Sequence, residues 1–219
     1  MGLLRGRARP QPRAGKPSAC VLGPGFAAED EECARVAYAV ARGLSAGVPL
    51  VVDGGALGLV GGAVPADSIR ARGEAGGTTV LTPHAGEAAR LAKALGLQAP
   101  ARSAGEDARK QFAQSLAQAL CATVVLKGPV TYVADAEAVC AMAEGTPALA
   151  KAGTGDVLAG AVGALLAQGI PGFEAAFLAA TIHARAGVEA ARRHTVVCAT
   201  PEDVLDALPA AVRTVCPEA

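Results

Sequence analysis

The 219-residue chain is long enough to bury a substantial core as one domain, and 52% hydrophobic against 18% charged residues describes a compact protein with little charged surface. Twenty basic and twenty acidic side chains cancel, so no overall field draws the chain to nucleic acid or to an anionic membrane surface. Aromatic residues at 3% with no Trp leave no stock of stacking platforms for nucleic acid, and no uninterrupted apolar run reaches the ~20 residues that span a bilayer.

Residues 1–17 carry Arg5, Arg7, Arg9, Arg13 and Lys16 among Pro and Gly, with no acid and no apolar segment of the secretory type. The expectation is a basic disordered tail followed by a folded domain over residues 18–216. That domain opens with Ala19-Cys-Val-Leu-Gly-Pro-Gly25, a short apolar run ending in a turn, as a buried parallel strand does. Residues 29–44 follow with helical periodicity behind the acidic start Glu29-Asp-Glu-Glu32. Pro49-Leu-Val-Val-Asp53 is the next strand, closed by Gly54-Gly55. Strand, helix, strand at this spacing makes a right-handed crossover in a parallel sheet. In such sheets ligands meet the carboxyl ends of the strands, which places Gly23, Gly25 and Asp53 on one rim. Asp53 there either reaches a metal or substrate or caps the turn.

Residues 60–78 are polar and glycine-rich and read as a surface loop. Thr79-Val-Leu-Thr-Pro-His84-Ala-Gly-Glu87 is another strand end carried into a helix through Leu95, with His84 on the same rim and Glu87 favouring the helix start. After a helix over about 105–120, Ala122-Thr-Val-Val-Leu-Lys127-Gly-Pro-Val-Thr131 reads as a strand, and 132–135 with 138–142 as a meander beside it. Lys127 at that strand end either holds a phosphate or snorkels on the sheet rim.

Lys151-Ala-Gly-Thr-Gly-Asp156 then runs straight into the apolar, alanine-rich stretch 157–168. Two glycines let successive N–H groups point to one place, and the helix adds its positive dipole end, so the loop reads as an anion pocket. Asp156, a carboxylate where negative charge is already collected, is either a base for phosphoryl chemistry on a hydroxyl or an ordinary helix N-cap. Residues 173–193 form a second long helix in which His183 reads as a packed core residue. Thr200-Pro-Glu-Asp203 caps a final helix to about 213. The six cysteines (20, 33, 121, 140, 198, 216) include no Cys-x-x-Cys pair, which fits free thiols in a reducing cytoplasm better than disulfides or zinc.

Taken together, Leu81-Thr-Pro-His-Ala-Gly-Glu87, Val124-Val-Leu-Lys-Gly-Pro-Val-Thr131 and Ala152-Gly-Thr-Gly-Asp-Val-Leu-Ala-Gly160 resemble, in order and approximate spacing, motifs of the ADP-dependent NAD(P)H-hydrate dehydratases. Residues 19–25 and 49–57 resemble two earlier motifs of that family. The resemblance covers roughly residues 18–213 and implies an α/β, three-layer ribokinase-like fold with a mostly parallel central sheet flanked by helices. It implies a lyase that restores NADH or NADPH from the hydrate using ADP, with release of AMP and phosphate, and magnesium as the phosphate counter-ion. By the family pattern, Lys127, Gly128, Pro129, Val130, Thr131 and Gly155 contact the adenine nucleotide. Gly25, His84 and Asp156 contact the hydrate, Asp156 takes the proton, and the Gly153, Thr154 and Gly155 backbone forms the anion hole. Homo-oligomers are common in the family, and no protein-held metal site is implied.

The chain departs from the family pattern at Gly55 and Gly58, where an acid and an Asn are usual, and at Ala85, Lys151 and Ala152, where Pro, Thr and Gly are usual. Lys151 would add positive charge beside the phosphate pocket. Several strand–helix units that family members carry before the Gly-Pro-Gly strand are not found in residues 1–18, so the expectation is an N-terminally truncated domain with one sheet flank uncovered. Two other readings stand beside the dehydratase: a ribokinase-like ATP-dependent kinase of a small alcohol or vitamin precursor, and a non-catalytic nucleotide-binding protein.

Overall fold

The computed structural model describes residues 17–216 apart from 28 and 102; the expected basic tail lies almost entirely outside the described residues. Six strands form one sheet in the order β1 (Cys20–Leu22), β2 (Leu50–Val52), β3 (Thr79–Leu81), β4 (Thr123–Leu126), β5 (Thr131–Ala134), β6 (Val139–Met142). The first four run parallel and the last two pair antiparallel as the meander. Strand order follows chain order, so every crossover moves the same way across the sheet. Right-handed connections then stack their helices on one face: α1 (Glu31–Gly43), α2 (Gly54–Leu59), α3 (Ala66–Glu74), α4 (Ala85–Ala94) and α5 (Glu106–Leu120). The opposite face is covered by α6 (Thr154–Ala167) and α7 (Gly172–Cys198), and α8 (Pro201–Val215) lies outside against α7.

Side-chain alternation along the strands divides the core. Leu50, Val52, Leu81, Val124, Leu126 and Tyr132 pack toward α1–α5, whereas Val51, Val80, Val125 and Val133 pack against α6 and α7. A third cluster, around Ala148, Ile182, Ala186, Val204 and Ala207, joins a 3-10 turn at Pro147–Leu149 to α7 and α8. Alanine dominates the α7 contacts because small side chains let helices approach closely, as the run Ala175, Ala176, Ala179, Ala180, Ala184 shows. Helix starts are capped as their sequences suggest: Asp30 accepts from the N–H groups of Glu32 and Cys33, and Thr200 with Asp203 closes a capping box at α8.

Residues 60–78 differ from the expected loop. They contain α3, whose Ile69 is buried and whose Arg72 turns inward to donate to the carbonyls of Leu44, Ser45 and Val48. An arginine that serves three carbonyls reads as solvent-facing in sequence, and this hid the helix. Gly54–Leu59 is likewise a short helix where a turn was expected. The helix after the anion loop starts at Thr154, three residues before the apolar stretch, since the first turn of a helix leaves its N–H groups free and needs no apolar face. The last long helix continues past Arg193 to Cys198 across an interruption at Thr195, where φ is 71°. No described helix is long and apolar enough to cross a membrane, and the six cysteines are unpaired.

Candidate active site

The carboxyl ends of β2, β3 and β4 and the start of α6 meet at one place. Asp53 follows β2 and is 2% exposed, with no cap hydrogen bond to α2. Its Oδ1 accepts the hydroxyl of Thr82, at the end of β3, at 2.6 Å and the ammonium of Lys127, at the end of β4, at 3.0 Å. The carboxylate therefore does not cap the turn; through Oδ1 it holds a lysine. Lys127 is itself placed by its backbone, whose N–H donates to Pro83 O at 2.8 Å while His84 bridges to it in parallel register. A Cβ on Gly155 would lie 3.1 Å from Lys127 Nζ and 3.7 Å from Asp53 Oδ2. The glycine is thus what lets the α6 loop come down onto the ammonium.

The loop turns at Gly153, the helix N-cap, in the left-handed region at φ 92°. Asp156 is the third helical residue rather than the N-cap, and it is exposed; no hydrogen bond reaches its carboxylate among the described residues. The N–H groups of Gly153 and Gly155 are likewise without partners among the described residues. The N–H of Thr154 leans on Lys151 O at 3.3 Å. Thr154 is 3% exposed, and its hydroxyl faces inward to the carbonyls of Leu149 at 2.7 Å and Lys151 at 2.8 Å. Of the expected anion-hole trio, then, two amides are open while Thr154 anchors the loop.

His84 sits on the rim with its side chain 55% exposed. Its Nδ1 accepts from Gly86 N at 3.0 Å and Glu87 N at 3.3 Å, while Glu87 Oε2 accepts from His84 N at 2.8 Å, a reciprocal cap on α4. An accepting Nδ1 leaves the hydrogen on Nε2, which lies 3.5 Å from Glu87 Oε1. Gly128 and Pro129 are exposed in the turn between β4 and β5, followed by half-buried Val130 and by Thr131, buried at the start of β5. Gly25 lies exposed after β1 at φ 74° with open space around it.

Two side chains matter in ways the sequence did not suggest. Lys151 does not charge the phosphate pocket: its Nζ donates to Val196 O at 3.1 Å, Val197 O at 2.7 Å and Ala199 O. These carbonyls end α7, where intrahelical partners run out and the dipole is negative. His183 is a buried core residue as expected, yet its Nε2 lies 2.8 Å from Thr154 O. Burial, with the nearby Lys127 charge adding to it and the Thr154 hydrogen bond opposing, pulls its pKa down to about 4. The signal for His183 was a lone polar residue inside an apolar helix; its partner, 29 residues away, was not readable.

The six-stranded α/β sheet with a glycine-turned helix start facing its strand ends has the fold of a solved ribokinase-like superfamily protein from Enterococcus faecalis, with a TM-score of 0.64 at 24% identity. The family described as NAD(P)H-hydrate dehydratase matches residues 4–210, and the chain belongs to that family. Among relatives, a bifunctional NAD(P)H-hydrate repair enzyme of Mycobacterium tuberculosis is 42% identical over 171 residues, covering 77% of this chain and 32% of that protein. An ADP-dependent (S)-NAD(P)H-hydrate dehydratase of Xanthomonas campestris is 34% identical over 176 residues, covering 80% and 54%. The chain thus spans about a third and about half of these relatives. The crystal structure of an ADP/ATP-dependent NAD(P)H-hydrate dehydratase from Bacillus subtilis, co-crystallised with ATP/Mg2+ and soaked with CoA, superposes with a TM-score of 0.72 at 25% identity, covering 92% of this chain and 68% of that one.

Proposed function

We propose that the chain dehydrates the S epimer of NADH hydrate or NADPH hydrate, consuming ADP and releasing AMP and phosphate. The observation that carries this reading is the convergence of open Gly153 and Gly155 amides, the Asp53-held Lys127 ammonium and the partnerless Asp156 carboxylate at one rim. Amides and ammonium receive a transferring phosphoryl group, and the carboxylate takes a proton. In the proposed sequence, Asp156 removes the proton of the C6 hydroxyl as its oxygen bonds to the terminal phosphorus of ADP, and the bond to AMP breaks. Hydroxide is a poor leaving group, whereas the phosphate ester so formed departs with push from the ring nitrogen lone pair. Loss of a C5 proton then restores the reduced nicotinamide.

On this reading Gly128, Pro129, Val130 and Thr131 line the nucleotide's path with Lys127 and Gly155, while Gly25 and His84 face the hydrate. Magnesium fits as an ion carried by the phosphates. It takes one or two carboxylates plus phosphate oxygens, the described residues hold no cluster of three acidic, His or Cys side chains able to cage a metal, and Asp156 is the open carboxylate. The bound ion would neutralise charge on the phosphates; the residues of the chain orient them. Six unpaired cysteines support a reducing, cytoplasmic setting. Exposed Val21, Val36 and Tyr38 support assembly with further copies of the chain.

The test is recovery of the near-ultraviolet absorbance of reduced nicotinamide from purified protein, NADH hydrate and magnesium, with ADP, with ATP and without nucleotide. Recovery that requires a nucleotide supports the reading and ranks the two nucleotides. Binding of ADP by calorimetry without recovery would leave a nucleotide-binding protein in its place.

A further inference from the structure

His183 lies in the interior of α7, flanked by buried Ile182 and Ala184, and reaches across to a single backbone oxygen at the start of neighbouring α6, that of Thr154. A carbonyl only accepts, so Nε2 carries the hydrogen, and with its pKa at about 4 the imidazole is neutral at ordinary pH. The peptide that His183 holds is the one joining Thr154 to Gly155. That peptide is trans, since the described chain contains no cis bond, so its carbonyl and its N–H point in opposite directions. With the carbonyl drawn toward His183, the Gly155 N–H points the opposite way, and it has no partner among the described residues. The peptide lies in the first turn of α6, whose N–H groups have no intrahelical partners, and a glycine has the freest backbone of any residue, so this turn is the part of the helix that an added hold can most steady. The Thr154 hydroxyl ties the residue to Leu149 and Lys151, and among the described residues His183 adds the one side-chain hold on the peptide carbonyl at this first turn of α6.

We propose that His183 is a positioning residue for the anion hole: by donating from Nε2 to Thr154 O it orients the Gly155 amide toward the phosphoryl group that passes between nucleotide and substrate. The proposal rests on the dehydratase reading for the identity of that phosphoryl group, and on the geometry alone for the orientation of the amide. Preorganised donors of this kind act at the developing charge more than on bound substrate, so their loss falls on kcat.

The experiment compares the wild-type chain with His183→Leu, which loses the donor, and His183→Gln, whose amide nitrogen occupies the same side-chain position and donates again. Thr154-Gly155 is the one Thr-Gly step in the sequence, so labelling Thr carbonyl carbon and Gly nitrogen isolates the Gly155 amide in a single NMR correlation. His183→Leu should lower kcat about tenfold or more and shift or broaden the Gly155 signal. KM for ADP should stay within about threefold, and His183→Gln should restore both kcat and the signal to near wild type. Wild-type kcat with an unmoved Gly155 signal in His183→Leu would overturn the proposal. So would loss of thermal stability in both variants alike with kcat per folded molecule intact, the outcome of a merely packed histidine. A wild-type chain without turnover defeats the dehydratase reading instead; the Gly155 signal in the three proteins still decides the orienting role.

Discussion

At the scale of single residues, the site works by leaving some polar groups open and tying others down. Asp156 belongs to the first kind. As an exposed carboxylate that caps nothing, its change to Asn costs the fold little, whereas general-base removal costs about 10²–10⁴-fold in rate. On the proposed function, Asp156→Asn should therefore lose turnover by that amount with unchanged melting temperature and unchanged affinity for ADP in the absence of magnesium, and a fully active variant removes Asp156 from the chemistry. Asp53 belongs to the second kind. Its carboxylate is buried against Lys127 and Thr82, and breaking one side of such a pair costs about 3–5 kcal/mol, while replacing both by apolar residues of similar volume is near neutral. In urea titrations Asp53→Leu should be strongly destabilised, and the Asp53→Leu/Lys127→Met double variant should recover most of the loss. Additive losses would sink the idea that the two form a unit. His183 sets a pH dependence. Its folded pKa of about 4 lies below the ordinary 6.5, so the unfolded chain takes up the proton first. The stability is full above pH 6.5 and about 3 kcal/mol of it is lost as pH falls to 4. As pH falls over that window wild type should lose this stability while His183→Gln, which has nothing to titrate there, does not, so the difference between them shifts by about 3 kcal/mol in favour of the variant; parallel curves would contradict it.

At the scale of elements, the anion loop is held from behind by α7 and α8 rather than by the sheet. Lys151 is fastened to the last carbonyls of α7, Thr154 to His183, and a Cβ on Gly153 would press within 2.9 Å of Pro201 at the start of α8. The interruption at Thr195 turns the carbonyls of Val196 and Val197 to where one ammonium reaches them along with Ala199. Lys151→Met frees those carbonyls and should cost about 1–3 kcal/mol. Hydrogen exchange should quicken at the end of α7 and the start of α8 ahead of the sheet, and uniform exchange across the molecule would show that Lys151 is no local clamp. Element boundaries explain most of what the sequence concealed: α3 was masked by Arg72, whose charge is spent on three loop carbonyls, and α6 begins before its apolar face does.

At the scale of the whole molecule, one-directional crossovers gather the carboxyl ends of the parallel strands along a rim, and the second helical layer presents its loop to the same rim. A ligand that bridges the two should stabilise both. Binding at about 100 times the dissociation constant adds about 2.7 kcal/mol, which in a chain of this size raises the melting temperature by about 5–10 °C. ADP with magnesium should produce such a shift in wild type, and a clearly smaller one in the Lys127→Met chain. An equal shift in both would take Lys127 out of the nucleotide site.

The sequence by itself determined the strands, most of the helices, the rim, and the residues that carry the family resemblance, because periodicity, turn chemistry and motif spacing are local. It left Asp53, Lys127 and Asp156 each with two readings. The tertiary structure added that Asp53 and Lys127, 74 residues apart, share a hydrogen bond and that Gly153, not Asp156, is the helix N-cap. It alone revealed that Lys151 faces α7 and that His183 holds the Thr154 carbonyl. The physical reason is that a side chain's role follows from which polar group it meets, and these partners are brought together by strand order and layer packing, not by proximity along the chain.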